Sequence, residues 1–111
     1  MVTLKPLQVL NLLQTRSLWG EIMIPRPVQR MGDMNTSGGM IMEGEKSVMV
    51  EGFPIATAFM TVSPHYNHYG MLTTATQYSV ICNRQAVVKM GDPDTCGDLR
   101  VGGAMTVLLG G

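Results

Sequence analysis

The sequence predicts an all-β chain built from three quasi-equivalent units, and three observations carry that prediction. First, Arg30-Met31-Gly32-Asp33-Met34-Asn35-Thr36-Ser37-Gly38 returns as Lys89-Met90-Gly91-Asp92-Pro93-Asp94-Thr95-Cys96-Gly97, an offset of 59 residues that runs without a gap to Gly111. Gly44 falls on Gly103, Val48 on Val107 and Gly52 on Gly111, and eight positions between 31 and 52 are identical to their partners. Second, a shortened copy lies between these two. Ser47-Val48-Met49-Val50-Glu51 returns as Ser79-Val80-Ile81-Cys82-Asn83 at an offset of 32, while Gly39-Met40 and Gly70-Met71 align at 31, which predicts a one-residue slip. Third, Val48 and Val50 alternate with Ser47, Met49 and Glu51, the period of a half-buried strand. A repeat of this kind fixes an architecture before any single residue is read. It predicts one chain with approximate threefold symmetry.

The elements follow in order. Residues 1–27 precede the repeat as an extension. Leu4, Leu7, Leu10 and Leu13 recur every three residues and permit a short helix or 3₁₀-like segment, which Ser17, Gly20, Pro25 and Pro27 interrupt. The extension is therefore read as irregular or short-helical. Trp19, Ile22 and Ile24 are apolar enough to pack on something, whether the base of the same domain or a neighbour. Residues 28–111 form the β domain. Val48 and Val50 make one face of a strand, Glu51-Gly52 is a tight-turn signal, and Ile55–Phe59 is the returning strand. Tyr78–Cys82, the Asn83-Arg84 turn and Ala86–Met90 repeat the design, with Asn83 tolerating positive φ. Thr106–Gly110 is the last copy of the strand. Glycines are spread through all three units, which suits backbones that approach closely around a shared axis.

Bulk properties narrow the function. At 111 residues and 12.1 kDa there is room for one domain with a modest core. Formal net charge is zero and charged residues are 14%, against roughly 25% in an average domain, so part of the surface is expected to be covered by another protein. No basic patch argues for nucleic acid. Eleven Met serve as adaptable core and interface filler. No apolar run reaches the roughly 18 residues that span a bilayer. The N-terminus lacks a signal-peptide pattern, so synthesis in a cytosol is expected. Two Cys do not make a disulfide framework.

The chemistry-bearing residues are few. His65-Tyr66-Asn67-His68 places two imidazoles within one loop, and His68 and Cys96 fall in equivalent turns that the symmetry draws toward one axis. His65, His68 and Cys96 are the candidate metal ligands, and His and Cys suit zinc, with iron second. Cys82 is a fourth ligand by type, but it matches Val50 and Leu109 in the repeat and reads as a core thiol. Asp33 and Asp92 read as turn-formers bonding their own backbone. Three ligands with an open position is also the pattern of catalytic zinc. No Glu or Asp is expected near the His pair to act as a general base, however, and no Gly-x-Ser or His-Glu-x-x-His motif is present, so neither catalysis nor a small-molecule substrate is expected.

Gly32-Asp33-x-x-Thr36-Ser37-Gly38-Gly39, then Val48-x-Val50-Glu51-Gly52-x-Pro54-x-Ala56, then the His loop, then Lys89-Met90-Gly91-Asp92-x-x-Thr95-Cys96-Gly97 resembles the PAAR-repeat family over about residues 28–111. The eponymous stretch reads Pro54-Ile55-Ala56-Thr57 and Ala86-Val87-Val88-Lys89, and Phe59-Met60 stands where the family has another Gly-Asp. The resemblance implies a small β-cone that caps and sharpens the blunt end of a trimeric β-helical spike, one tip chain per trimer, with a metal near its apex and transient contact with a target membrane. Ser37 stands where the family usually has His, so His65 is expected to make up the ligand set with His68 and Cys96. Symmetry supplies an independent reason for the shape. Three identical chains cannot place one side chain on their common axis without collision, whereas three inexact copies in one chain can converge to a point. The departures, the extension and the lack of an appended effector domain favour a phage tail tip, a virion component, over a tip secreted through a type VI system. A small zinc hydrolase or toxin, and an adaptor carrying an effector on residues 1–29, are the alternatives.

Overall fold

The computed structural model describes residues 2–4, 8–10 and 24–110, the first two stretches by their backbone. Among the described residues there is no helix. The strands are β1 (Val2–Leu4), β2 (Gln8–Leu10), β3 (Arg26–Val28), β4 (Glu45–Val50), β5 (Phe53–Ile55), β6 (Ile81–Cys82), β7 (Gln85–Ala86) and β8 (Ala104–Leu109). They form three small sheets, β1-β4-β5, β2-β8-β3 and β6-β7. The result is the all-β chain of short hairpins that the repeat predicts, consistent with the small cone that the resemblance implies.

Each sheet holds one antiparallel pair from the threefold set. β4 turns into β5 through Glu51 and Gly52, at φ 50° and 86°, and β6 turns into β7 through Asn83 and Arg84, at φ 50° and 70°. Two consecutive positive φ values are the signature of a type I′ turn, whose twist matches that of its strands. The third pair is closed differently. β8, the last strand, pairs with β3, which precedes the first repeat, and Leu109 lies opposite Arg26. β3 thus crosses residue 27, and Pro27-Val28-Gln29-Arg30 is a further copy of Pro54-Ile55-Ala56-Thr57 and Ala86-Val87-Val88-Lys89.

The core sits where the three pairs meet. Val28, Ile55 and Val87 are buried at equivalent places, as are Val50, Cys82 and Leu109, and Ala104 and Val107 complete the cluster. Val48 and Val80 pack against it from partly buried positions. Burying one such aliphatic side chain contributes roughly 1.5–3 kcal/mol, which makes this small cluster the main apolar support of the base. Above it the chain crosses the axis three times. Gln29 N–H donates to Val88 C=O (2.9 Å), Val88 N–H to Ala56 C=O (3.1 Å) and Ala56 N–H to Gln29 C=O (2.9 Å). This closed triangle of fully buried residues explains why the expected strand Ile55–Phe59 ends at Ile55: beyond it the backbone bonds to the other two units.

Three hairpins rise from the triangle and narrow to the tip. Isolated bridges Met34–Met40, Thr61–Leu72 and Pro93–Leu99 define them. A second ring ties them together. Thr36 N–H donates to Leu99 C=O (2.9 Å), and Leu99 N–H returns a bond to Thr36 Oγ1 (3.2 Å). Thr95 and Leu72 do the same at 2.9 and 3.0 Å, and Ser63 and Met40 at 2.8 and 2.9 Å. The offset between the first and middle units is therefore 32 at Leu72 as well, since 72 − 40 = 32, and the slip expected at Gly70-Met71 does not occur. The extra length lies within the middle hairpin: bridges Asn35–Arg100, Val62–Ile41 and Asp94–Thr73 give it 73 − 62 = 11 steps, where the first has 41 − 35 = 6.

The extension corrects one expectation. Over Val2–Leu4 and Gln8–Leu10 the chain is extended, not helical, and β1 and β2 run parallel to β4 and β8. A three-residue leucine spacing permits a helix, but the open edges of β4 and β8 offer backbone partners that outweigh so weak a preference. Ile24 is 65% exposed. Leu7, Leu13, Ser17, Trp19, Gly20 and Ile22 lie outside the described residues.

Candidate metal centre

The tip is organised by its turns. In the first unit Asp33 Oδ2 accepts the Arg30 N–H (2.7 Å), and in the last Asp92 Oδ2 accepts the Lys89 N–H (3.0 Å). Both are the backbone-bonding turn-formers expected of them. In the middle unit Met60 Sδ takes the same place and receives the Thr57 N–H at 3.4 Å. Gly32, Phe59 and Gly91, one residue earlier in each, have φ of 95°, 69° and 91°.

A stack of polar side chains fills the axis above the triangle. Arg100 is 1% exposed, and its repeat equivalents are Ile41 and Thr73. Its guanidinium donates to Asp94 Oδ2 (2.8 Å), Gly39 C=O (2.9 Å) and Asp33 C=O (3.2 Å). Asn35 Nδ2 donates to the same Asp94 oxygen (2.8 Å) and lies 3.2 Å from His65 Nε2. Burial pushes the Asp94 carboxyl above the usual carboxylate range, against the pull of Asn35 and Arg100. It also lowers the Arg100 guanidinium, against Asp94.

At the top, four donor atoms converge. His65 Nε2, His68 Nδ1, Cys96 Sγ and a carboxylate oxygen of Asp98 all lie within 4.8 Å of one another. His65 and His68 are 3.3 Å apart, and each is 3.1 Å from Asp98 Oδ2. Cys96 Sγ is 3.6 Å from His65 Nε2 and 3.3 Å from Asp98 Oδ2. Bond lengths of about 2.0–2.1 Å to nitrogen or oxygen and 2.3 Å to sulfur imply tetrahedral edges of about 3.3 and 3.6 Å. The five separations given lie close to those edges.

The surroundings orient these groups. His65 Nδ1 lies 2.6 Å from the Ser63 carbonyl, which can only accept, so Nδ1 carries a proton and Nε2 is the nitrogen aimed at the cluster. Asp98 Oδ1 accepts from Ser37 Oγ (2.9 Å) and Thr36 Oγ1 (3.3 Å), which leaves Oδ2 for the cluster. Desolvation opposes the charge on Asp98, but hydrogen bonds from Ser37, Cys96, His65 and His68 outweigh it and hold the carboxyl down at about 2. Burial raises the Cys96 thiol, and the charges of Asp98 and Asp94 raise it further. A Cβ on Gly39 would overlap the His65 ring, so the glycine clears space for that ligand.

The structure thus gathers His65, His68 and Cys96 at one point and leaves Cys82 in the apolar core, where burial raises its thiol. Asp98 is the member that sequence reasoning missed. It also corrects the statement that no carboxylate stands near the His pair. Its signal was a break in the repeat, since 39 + 59 = 98 pairs Gly39 with Asp98. Ser37 does not lie among the four donors, yet it acts on the cluster through Asp98.

Comparison with known proteins agrees with this geometry. Curated proteins include no significant match to the chain. The family model described as PAAR motif matches residues 31–111, nearly three quarters of the sequence and all three tip hairpins. The chain belongs to the PAAR-motif family, whose members sit at the tips of spikes in contractile injection and secretion machines.

Proposed function

We propose that this protein is the sharpened tip of a contractile injection machine, a bacteriophage tail in preference to a type VI secretion spike. It caps a trimeric β-helical spike, one chain per trimer, and works mechanically, without catalysis. Residues 1–27 form its extension and residues 28–111 its tip domain, with β3 crossing between them. The observation that carries the proposal is the pair of closed rings, which give one chain a threefold base and a single apex. In this reading His65, His68, Cys96 and Asp98 hold one structural ion, zinc first and iron second. The ion would supply a cross-link among hairpins that have little core of their own. Asp98 occupies the corner that a catalytic zinc keeps for water, which favours a structural role. Tyr66 and Tyr69, 81% and 70% exposed beside His68, suit first contact with a membrane interface. Phage over secretion system rests on the motif departures at Ser37 and Phe59-Met60.

The test is to mix the chain with the trimeric spike encoded beside it. A complex of one tip per three spike chains is expected, appearing in purified virions as the same ratio. A tip that stays monomeric and unbound overturns the proposal.

A further inference from the structure

The middle unit has lost its charges and gained the aromatic rings. From Gly52 to Asn83 the sequence has no Asp, Glu, Lys or Arg. The first unit shows how complete the loss is. Its charged residues Arg30, Asp33, Glu43, Glu45, Lys46 and Glu51 are matched by Thr57, Met60, Ala75, Gln77, Tyr78 and Asn83. The same uncharged stretch holds every Phe and Tyr of the chain. Phe53 lies beneath Arg30 of the first unit, whose guanidinium is 5.3 Å from the ring centre. The other four, Phe59, Tyr66, Tyr69 and Tyr78, belong to the middle unit, and all are exposed.

These side chains run from the tip toward the base. At the top of the middle hairpin His65 and His68 form a bridge, with Tyr66 in the turn at φ 50° and Tyr69 just after it. Lower down Val62 N–H donates to Met71 C=O (2.9 Å), and at the foot Phe59 N–H donates to Thr73 C=O (2.8 Å). There Phe59, Tyr78 and Ile81 line one groove of about 420 Å³, with Arg84 among its walls. Two of these residues stand where the other units have glycine. Phe59 matches Gly32 and Gly91 and holds φ 69°, and Arg84 matches Gly52 and Gly111 and holds φ 70°. Side chains kept in the left-handed region, where glycine is easier, mark a demand other than stability.

We propose that this uncharged aromatic flank is a lipid-binding face, and that its ligand is the headgroup boundary of a net-neutral phospholipid bilayer. Tyrosine sets its ring in apolar surroundings and its hydroxyl in wet ones, the place aromatic residues take at membrane surfaces. A stretch without Asp, Glu, Lys or Arg leaves no ion to desolvate as the face enters. Arg84, the first charge beyond that stretch, stands in the groove at its foot, and a guanidinium suits a lipid phosphate. A formal net charge of zero gives the whole chain no preference for anionic over neutral lipid. The inference rests on the tip reading above and adds a side to it: the cone meets lipid by one flank and not evenly around its axis.

Flotation of the full chain with phosphatidylcholine vesicles tests it. Binding is expected, the same within about twofold from about 0.05 to 0.5 M salt. Tyr66→Ser with Tyr69→Ser, and separately Phe59→Ser with Tyr78→Ser, should each weaken it at least about tenfold. Tyr78→Lys, which installs the first unit's residue, should do the same. Met42→Ser with Met105→Ser removes exposed apolar side chains of the other two units and should change binding less than about twofold. No binding, binding that needs anionic lipid and fades with salt, or an equal loss from the methionine pair overturns the proposal. So does protection of the Phe59 and Tyr78 amides from exchange by the trimeric spike and not by vesicles, since the face then belongs to a protein. A chain that caps the spike yet ignores the vesicles refutes the flank alone, and one that binds vesicles but not the spike refutes the tip reading alone. Should a serine pair disturb the fold, Tyr78→Lys and the salt series on the unaltered chain decide.

Discussion

Phe59 holds a left-handed backbone where its two repeat equivalents are glycine, and it is 64% exposed. An L side chain there costs roughly 1–2 kcal/mol, partly offset by the extra freedom glycine brings to the unfolded chain. Phe59→Gly is therefore expected to stabilise the protein by about 0.5–1 kcal/mol, read as a higher midpoint in urea. The axial ion pair behaves oppositely. Asp94→Ala leaves Arg100 buried without its partner and should cost about 3–5 kcal/mol, while the double change Asp94→Leu with Arg100→Met should recover most of that. At the apex, Ser37→Ala frees Asp98 Oδ1 and Gly39→Ala displaces His65; each is expected to weaken zinc binding about 10–100-fold with little change in far-ultraviolet circular dichroism. Residues of this kind were unevenly legible in the sequence. His65, His68 and Cys96 stand out by type, whereas Asp98 reads as one more loop carboxylate until the fold sets it beside them.

At the scale of elements, the repeat made the strands and both two-residue turns legible, because identities at a constant offset survive even where single residues drift. The copy at Pro27-Val28-Gln29-Arg30 escaped because its strand partner, β8, lies at the far end of the chain. β1 and β2 escaped because their leucines suit a helix and only the tertiary edges of β4 and β8 decide otherwise. The ring of the tip hairpins gives a prediction of its own. Thr95→Val removes the acceptor of the Leu72 N–H and should cost about 1 kcal/mol, and Ser63→Ala should cost the same for Met40. The losses should add if the three junctions are independent, which a double-variant cycle measures.

For the whole molecule, the metal links stability to pH. Binding must expel the proton of the Cys96 thiol, whose affinity for it is raised, so zinc affinity is expected to fall as pH falls. Asp98 follows the other sign rule. Its folded value is depressed to about 2, so the stability it contributes is present above the ordinary carboxylate range and is lost only as pH drops toward about 2. Acid should thus release the ion well before it neutralises Asp98. Free zinc at a hundredfold excess over its Kd should add about 2.7 kcal/mol, seen as a higher Tm that a chelator reverses. An unchanged Tm on chelation would show that packing alone holds the tip.

The pairing of β8 with β3 has a consequence for connectivity. Val50 and Phe53 enclose one two-residue turn, Cys82 and Gln85 another, and Leu109 and Arg26 face each other at the same place in the third pair. Gly110-Gly111 follows Leu109, and a Gly-Gly pair suits such a turn. The three strand pairs thus bring their ends to equivalent places. A circular permutant running from Arg84 to Gly111 and directly on through Arg26 to Asn83 should fold to the same cone and bind the same ion.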